Sequence, residues 1–521
     1  MKVTDLSLRE KILQTVVIKV DKDNFVTDQV GAAFFFGEII TEADEMGLEC
    51  ARNTLARYVD NAKIPILITS DFENGCGSML KGLTPLPYLM GLGAANSEKL
   101  AYNYGKATAL EARSVGANWS FSPICDLNIN PRNPLVNVRG IGDDPDHAIR
   151  LLKQVIRGMQ ENGLAACAKH YPGDGLDYRD QHIVTTNNDL PFEDWKKQSG
   201  RVFQAMIDEG VYSIMAGHIT LPDYQKEVFS NGMKLPATLS HELITNLLKK
   251  EMGFRGVVVT DALRMGGFLG WYESKRRSEI ESFKAGCDMM LWPTKHYVDD
   301  MVQAVENGYI PMERLDDAVT RILEMKEKMG LFQSDNHAVE LKEEQRLFVQ
   351  SVQQDVAENS VTLIRDEGGF FPLSPEKHKK IAVIPVTHHE PAFEEAELLC
   401  EELRARGFEV DCYKELLTDD GDEAMVEEHD LILYALFSRP FRPMGFIDFL
   451  HPEAKKVANC CKYGKEKTLV VSFGSPYFGN QYFERALTYV NAYSMLSPSV
   501  KAFVRAAMGE IKFSDFSPVE L

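Results

Sequence analysis

Across the first 330 residues, short β-rich runs alternate with amphipathic helical patterns, and this alternation restricts the chain to an α/β architecture more tightly than any other feature. Eight runs stand out, at residues 16–20, 32–36, 64–69, 118–122, 165–169, 212–216, 256–260 and 287–291. Parallel neighbours need a crossover, usually helical, so eight strands spaced this way predict a (β/α)8 TIM-like barrel. Residues 97–115, rich in Ala, Glu and Lys with apolar positions at helical spacing, are one of the crossover helices.

At 521 residues the chain is too long for one ordinary core, and two domains fit best. A helix predicted over 312–331 is followed by the polar stretch Gln333-Ser-Asp-Asn-His-Ala-Val-Glu, which marks the boundary. The expected organisation is a barrel domain at 1–335, a linker at 336–350 and an α/β sandwich domain at 351–521. The second domain alternates again, with apolar runs at 381–386, 408–412, 431–436, 468–473 and 487–493, which predict a mostly parallel sheet.

Charge and cysteine usage narrow the function classes. A formal net charge of −20 argues against nucleic acid or an anionic membrane surface as partner, since both select clustered Lys and Arg. The amino terminus lacks the apolar core of a signal peptide and no later stretch is long enough to span a bilayer, so a cytoplasmic enzyme is expected. The nine cysteines are scattered without C-x-x-C spacing, as expected of reduced, mostly buried thiols. No metal cluster, nucleotide loop or cofactor lysine motif is present in the sequence, and no metal or cofactor is expected.

The residues suited to chemistry fall just past the carboxyl ends of the predicted strands, the face on which barrel enzymes build their sites. Asp71 follows the third run, Arg139 lies in the long segment after the fourth, and Lys169, His170, Asp180 and His182 follow the fifth. His218 follows the sixth and Asp261 the seventh. Asp180 and His182 form an Asp-x-His pair in which the carboxylate can fix the imidazole tautomer, leaving a group that exchanges protons near neutral pH. Each residue has a plainer use: Asp180 and His182 could form an incidental ion pair and Asp261 a helix cap. Arg139 could pair with Asp143 or Asp144, Lys169 and His170 could tie a strand to its loop, and Asp71 could cap a turn.

Lys169-His-Tyr-Pro-Gly-Asp-Gly175, followed after four residues by Asp180-Gln-His182, resembles the Lys-His-Phe-Pro-Gly-His-Gly and Asp-Ser-His motifs of family 3 glycoside hydrolases of the β-N-acetylglucosaminidase branch. The resemblance extends to the stretch 121–139 from Phe121 to Arg139, to Pro236-Ala-Thr-Leu-Ser240, to Val259-Thr-Asp-Ala-Leu-Arg-Met265 and, in the second half, to Ser472-Phe-Gly-Ser-Pro-Tyr477. It implies a retaining β-glycosidase acting on a small carbohydrate, with Asp261 as nucleophile, His182 as general acid and base, and Asp180 as its orienting partner. Asp71, Arg139, Lys169 and His170 match positions that contact sugar hydroxyls, and His218 matches a further substrate-binding position.

Three departures bear on which sugar is accepted. Glu73-Asn-Gly-Cys76 stands where the family commonly has Glu-Gly-Gly-Arg, Asp174 replaces a histidine, and Ala262 replaces a second carboxylate after the nucleophile. Two relatives of the same chemistry stay open: a phosphorylase using phosphate in place of water, and a β-glucosidase whose acid comes from a second-domain segment near 441–449. An inactive sugar-binding module on the same fold is the reading from another class.

Overall fold

Each of the eight expected runs overlaps a strand in the computed structural model, which describes residues 1–21, 29–36, 47–334, 336–387, 392–440, 443–445, 448–462 and 464–521. The expected domain end at residue 335, and residues 441–442 and 446–447 of the segment 441–449, lie outside the described residues. The strands are β1 (Val16–Lys19), β2 (Ala32–Phe34), β3 (Leu67–Ser70), β4 (Trp119–Ser120), β5 (Cys167–Tyr171), β6 (Thr186–Asn187), β7 (Ser213–Ala216), β8 (Ile219–Thr220), β9 (Val257–Thr260) and β10 (Met290–Leu291). β6 and β8 were not foreseen; they pair with each other on the segments that follow β5 and β7.

The other eight strands form two parallel arcs, β10-β1-β2-β3-β4 and β5-β7-β9. Isolated parallel bridges link the arcs, Trp119 to Ala165 and Ile124 to Lys169 at one end and Val259 to Met289 at the other. The pairing is therefore TIM-like in order but laddered only within the arcs.

Alternation along each strand divides its side chains between two apolar clusters. Val17, Ala32, Phe34, Leu67, Trp119, Val257 and Val259 face the interior cluster. Their neighbours Val16, Ala33, Ile68 and Val258 pack in the larger cluster that includes the covering helices. β9 is buried along its whole length, and a buried Val side chain contributes roughly 1.5–3 kcal/mol, so this strand is a firm base for the carboxylate that follows it.

The second lobe carries one six-stranded sheet, composed of β11 (Thr362–Asp366), β12 (Lys380–Thr387), β13 (Glu409–Cys412), β14 (Leu431–Phe437), β15 (Thr468–Ser472) and β16 (Thr488–Asn491). Their order is β11-β16-β15-β14-β12-β13, parallel except for the antiparallel edge pair β11 and β16. β11 was missing from the expected set because, as an edge strand, most of it is only partly buried and its sequence is not a continuous apolar run. Both faces of the sheet are covered: Ile381, Val383, Leu431 and Leu433 belong to one cluster, and Ala382, Ile384, Ile432 and Tyr434 to the other.

The helix Glu343–Ser360 runs through the expected linker and across its end at residue 350. Val349, Val352 and Val356 pack into the first lobe's large cluster, and Ala357 into the second lobe's core. Among the described residues no helix is long and apolar enough to cross a membrane.

Candidate active site

At the carboxyl ends of the strands lies a cavity of about 630 Å³, within the range of roughly 300–1,000 Å³ usual for ligand sites. Asp71, Lys169, His170, His182 and Asp261 line it, together with an apolar wall that includes Phe34, Phe36, Phe121 and Trp292. The residues brought together come from three strand ends and one loop, 190 positions apart at the extreme of Asp71 and Asp261.

Asp261 follows β9 directly, and its backbone is anchored by a 2.9 Å hydrogen bond from its N–H to the carbonyl of Ala216 on β7. One carboxylate oxygen accepts the Ala262 N–H at 2.7 Å. The other lies 3.9 Å from Nε2 of His170. Burial pushes the Asp261 carboxyl up, but His170, His218 and His182 outweigh it and hold the group below the ordinary carboxylate value. Asp261 is therefore ionised and only 8 % exposed.

Asp180 and His182 sit on the segment between β5 and β6. The Asp180 Oδ1 atom accepts Nδ1 of His182 at 2.7 Å and the His182 backbone N–H at 2.8 Å. Burial raises the Asp180 carboxyl, while its hydrogen bond to His182 and the imidazole's charge bring it below the usual value. An ionised carboxylate can only accept, so Nδ1 of His182 is the donor and Nε2 the nitrogen free to exchange a proton. The imidazole is 21 % exposed and borders the same cavity as Asp261.

A second pair of the same kind was not anticipated. Asp126, in the segment after β4, accepts Nδ1 of His170 at 2.7 Å through Oδ2. Its Oδ1 accepts the backbone N–H groups of His170 at 3.0 Å and Asp174 at 2.8 Å. The Asp-x-His spacing reveals one such pair, whereas these partners lie 44 residues apart and leave no local pattern.

Asp71, Lys169, Glu73 and Arg139 form a chain of alternating charge, buried except at Asp71, which opens to the cavity. Lys169 Nζ contacts Asp71 and Glu73 at 2.8 Å each, and Arg139 grips Glu73 through two 2.9 Å hydrogen bonds. Burial tends to lower the Arg139 pKa, but Glu73, Asp126 and Asp71 raise it above the usual value. Arg139 thus pairs with Glu73 rather than with Asp143 or Asp144, and it borders an adjoining cavity that shares Asp71, Ser78 and Met79 with the first. Glu73 had been read only as part of a motif; its role as bridge depends on folding.

His218 lies beneath the site. It is fully buried, with Nδ1 2.9 Å from the Thr238 hydroxyl and Nε2 donating to the Ala262 carbonyl at 3.1 Å. Burial pushes its pKa down to about 4, so the ring is neutral and anchors the turn after Asp261. It does not border the cavity.

The departures from the family motif have structural outcomes. Cys76, at the position of the common arginine, turns into the core and donates to the Thr108 carbonyl at 3.3 Å. Ala262 leaves open space on the cavity wall. Asp174 is buried and accepts from Asn133, Gly175 and Gln181. Gly175 has φ +98°, and a Cβ there would meet the Leu127 carbonyl oxygen at 1.9 Å, so the glycine permits close packing of the loop.

An ionised carboxylate and a tautomer-locked imidazole bordering one sugar-sized cavity suit the cleavage of acetals, the work of glycoside hydrolases. Residues 7–325 match the family described as Glycosyl hydrolase family 3 N terminal domain, and the chain belongs to glycosyl hydrolase family 3. It is 31% identical over 504 residues to a β-N-acetylglucosaminidase/β-glucosidase of Cellulomonas fimi, covering 90% of this chain and 86% of that protein. A solved β-N-acetylglucosaminidase from Paenibacillus sp. str. FPU-7 superposes with TM-score 0.84 at 26% identity, covering 99% of both chains. A β-glucoside phosphorylase, BglX, bound to 2FGlc superposes with TM-score 0.88 at 28% identity, covering 99% of this chain and 95% of that one.

Proposed function

We propose that the chain is a retaining, exo-acting β-N-acetylglucosaminidase, with Asp261 as nucleophile and the Asp180–His182 pair as acid and base. The observation that carries this assignment is that His182 and Asp261 border one cavity, Asp261 held as a carboxylate and His182 anchored through Nδ1 so that Nε2 is left to exchange a proton. Asp261 attacks the anomeric carbon while Nε2 of His182 gives its proton to the departing oxygen, forming a glycosyl ester and releasing the aglycone. Neutral His182 then takes a proton from water as the water oxygen attacks the anomeric carbon, restoring the Asp261 carboxylate and the starting configuration. Asp71, Lys169 and His170 hold the sugar's hydroxyls, with Arg139 acting through Glu73 to keep Lys169 in place and His218 supporting the turn below. The nine free cysteines support a reducing, cytoplasmic setting.

The similarity to the β-glucoside phosphorylase favours one second reading, in which inorganic phosphate attacks the glycosyl ester. A neutral imidazole repels an incoming phosphate less than a carboxylate base would. Aryl N-acetylglucosaminides and aryl glucosides, each assayed with and without phosphate, separate the cases: free N-acetylglucosamine is the expected product, and a sugar 1-phosphate replaces hydrolysis with phosphorolysis. A 2-fluoro glycoside should label Asp261, and Asp261→Asn should lose both label and at least about 10³-fold in kcat. Full activity in that variant ends the assignment, and sugar binding without turnover of any aryl glycoside would establish the binding-module alternative.

A further inference from the structure

The second lobe reaches the edge of the cavity at one described segment, 443–445. Pro443 is part of the cavity wall, and the backbone N–H of Met444 donates to Asp180 Oδ2 at 2.8 Å. Met444 is itself buried, so the bond is closed to solvent. The two oxygens of Asp180 are thus divided: Oδ1 serves His182 twice, and among the described residues the Met444 N–H is the sole donor to Oδ2.

We propose that the backbone N–H of Met444 is a positioning group for the acid/base pair, so that the second lobe sets how well His182 transfers its proton. The inference rests on the assignment of His182 as acid. A fully buried carboxylate oxygen left without a donor must rotate toward another partner or admit water. Either response moves Oδ1, and with it the fixed partner of His182 Nδ1. The segment considered as a source of the acid therefore contributes a main-chain donor, which any residue at position 444 supplies except proline.

Leaving-group dependence isolates this effect, because a poor leaving group needs the proton and a good one does not. kcat/KM is measured for phenyl and 2,4-dinitrophenyl β-N-acetylglucosaminides with Met444→Ala, Met444→Pro and a Met444 ester variant, in which the α-hydroxy analogue of methionine replaces the N–H by oxygen. The proline and ester variants are expected to lose about tenfold on the phenyl glycoside and less than about twofold on the dinitrophenyl one, with Met444→Ala near wild type on both. If proline disrupts folding, the ester variant decides. Equal losses on both substrates, or none, in the ester variant overturn the inference. His182→Ala separates the two levels: a leaving-group-dependent loss there alongside an indifferent ester variant overturns only the role of Met444, whereas a uniform loss there removes His182 as acid and the inference with it.

Discussion

Two carboxylate–imidazole pairs stand at the same rim with the same 2.7 Å bond, and they are anchored differently. Asp126 and His170 are almost wholly buried, and each donor to Asp126 comes from the first lobe, partly from β5 itself. In the other pair, His182 opens to the cavity and Asp180 takes one donor from the second lobe. The buried pair holds its imidazole 3.9 Å from Asp261, while the open pair leaves its imidazole facing the cavity, where the proposed mechanism needs a proton donor. Under the proposed assignment, the same bond serves binding or proton transfer according to what surrounds the imidazole's free nitrogen.

The largest test of that contrast is kinetic. His182→Ala should lose about 10²–10⁴-fold in kcat/KM for a phenyl glycoside and far less for a dinitrophenyl one. His170→Ala should lose about 10–100-fold on both alike, as removal of a charge-assisted hydrogen bond to bound sugar does. The same leaving-group profile in the two variants would erase the distinction. Stability gives the next largest effect: in denaturant titrations Asp126→Ala should cost about 3–5 kcal/mol because every donor it strands is buried, and Asp180→Ala about 2–3 kcal/mol because it strands the buried Met444 N–H while the freed His182 can reach water. Equal costs would mean that the two anchors are equally deep.

The smallest effect concerns the loop between the pairs. Burial, followed by the charge of Asp126, pushes the Asp174 carboxyl up to about 7. Relative to an unfolded carboxyl near 4, the folded chain holds the extra proton between those values, so this group's contribution to stability is present below about pH 4 and lost as pH rises through about 7. Asp174→Asn removes that titration. The variant should therefore gain on the wild type by on the order of 2 kcal/mol between pH 4 and 8 in paired stability curves, and a pH-independent difference would dissociate Asp174 from the buried pair.

The eight strand runs were legible because burial on both sides writes a continuous apolar signal, as in Val257–Thr260. Asp180 and His182 were legible because their partnership is local in sequence. Asp126 was not, since its link to His170 exists only once β4 and β5 are neighbours. Glu73 likewise gains its meaning from two cations brought to it by folding, Lys169 and Arg139. The Met444 contact has no residue signature at all, because a main-chain N–H is common to nineteen amino acids. β11 escaped notice for a different reason: its half-exposed edge position weakens the pattern that marks the inner strands.

The helix Glu343–Ser360 hands three valines to one core and, from the very next residue, belongs to another. Severing the polypeptide along it would bare an oily stripe on whichever fragment lost its cover. Shared ownership of one rod makes the halves interdependent tenants, so a barrel fragment lifted out by genetic trimming inherits an unfinished surface as well as a missing partner for Asp180.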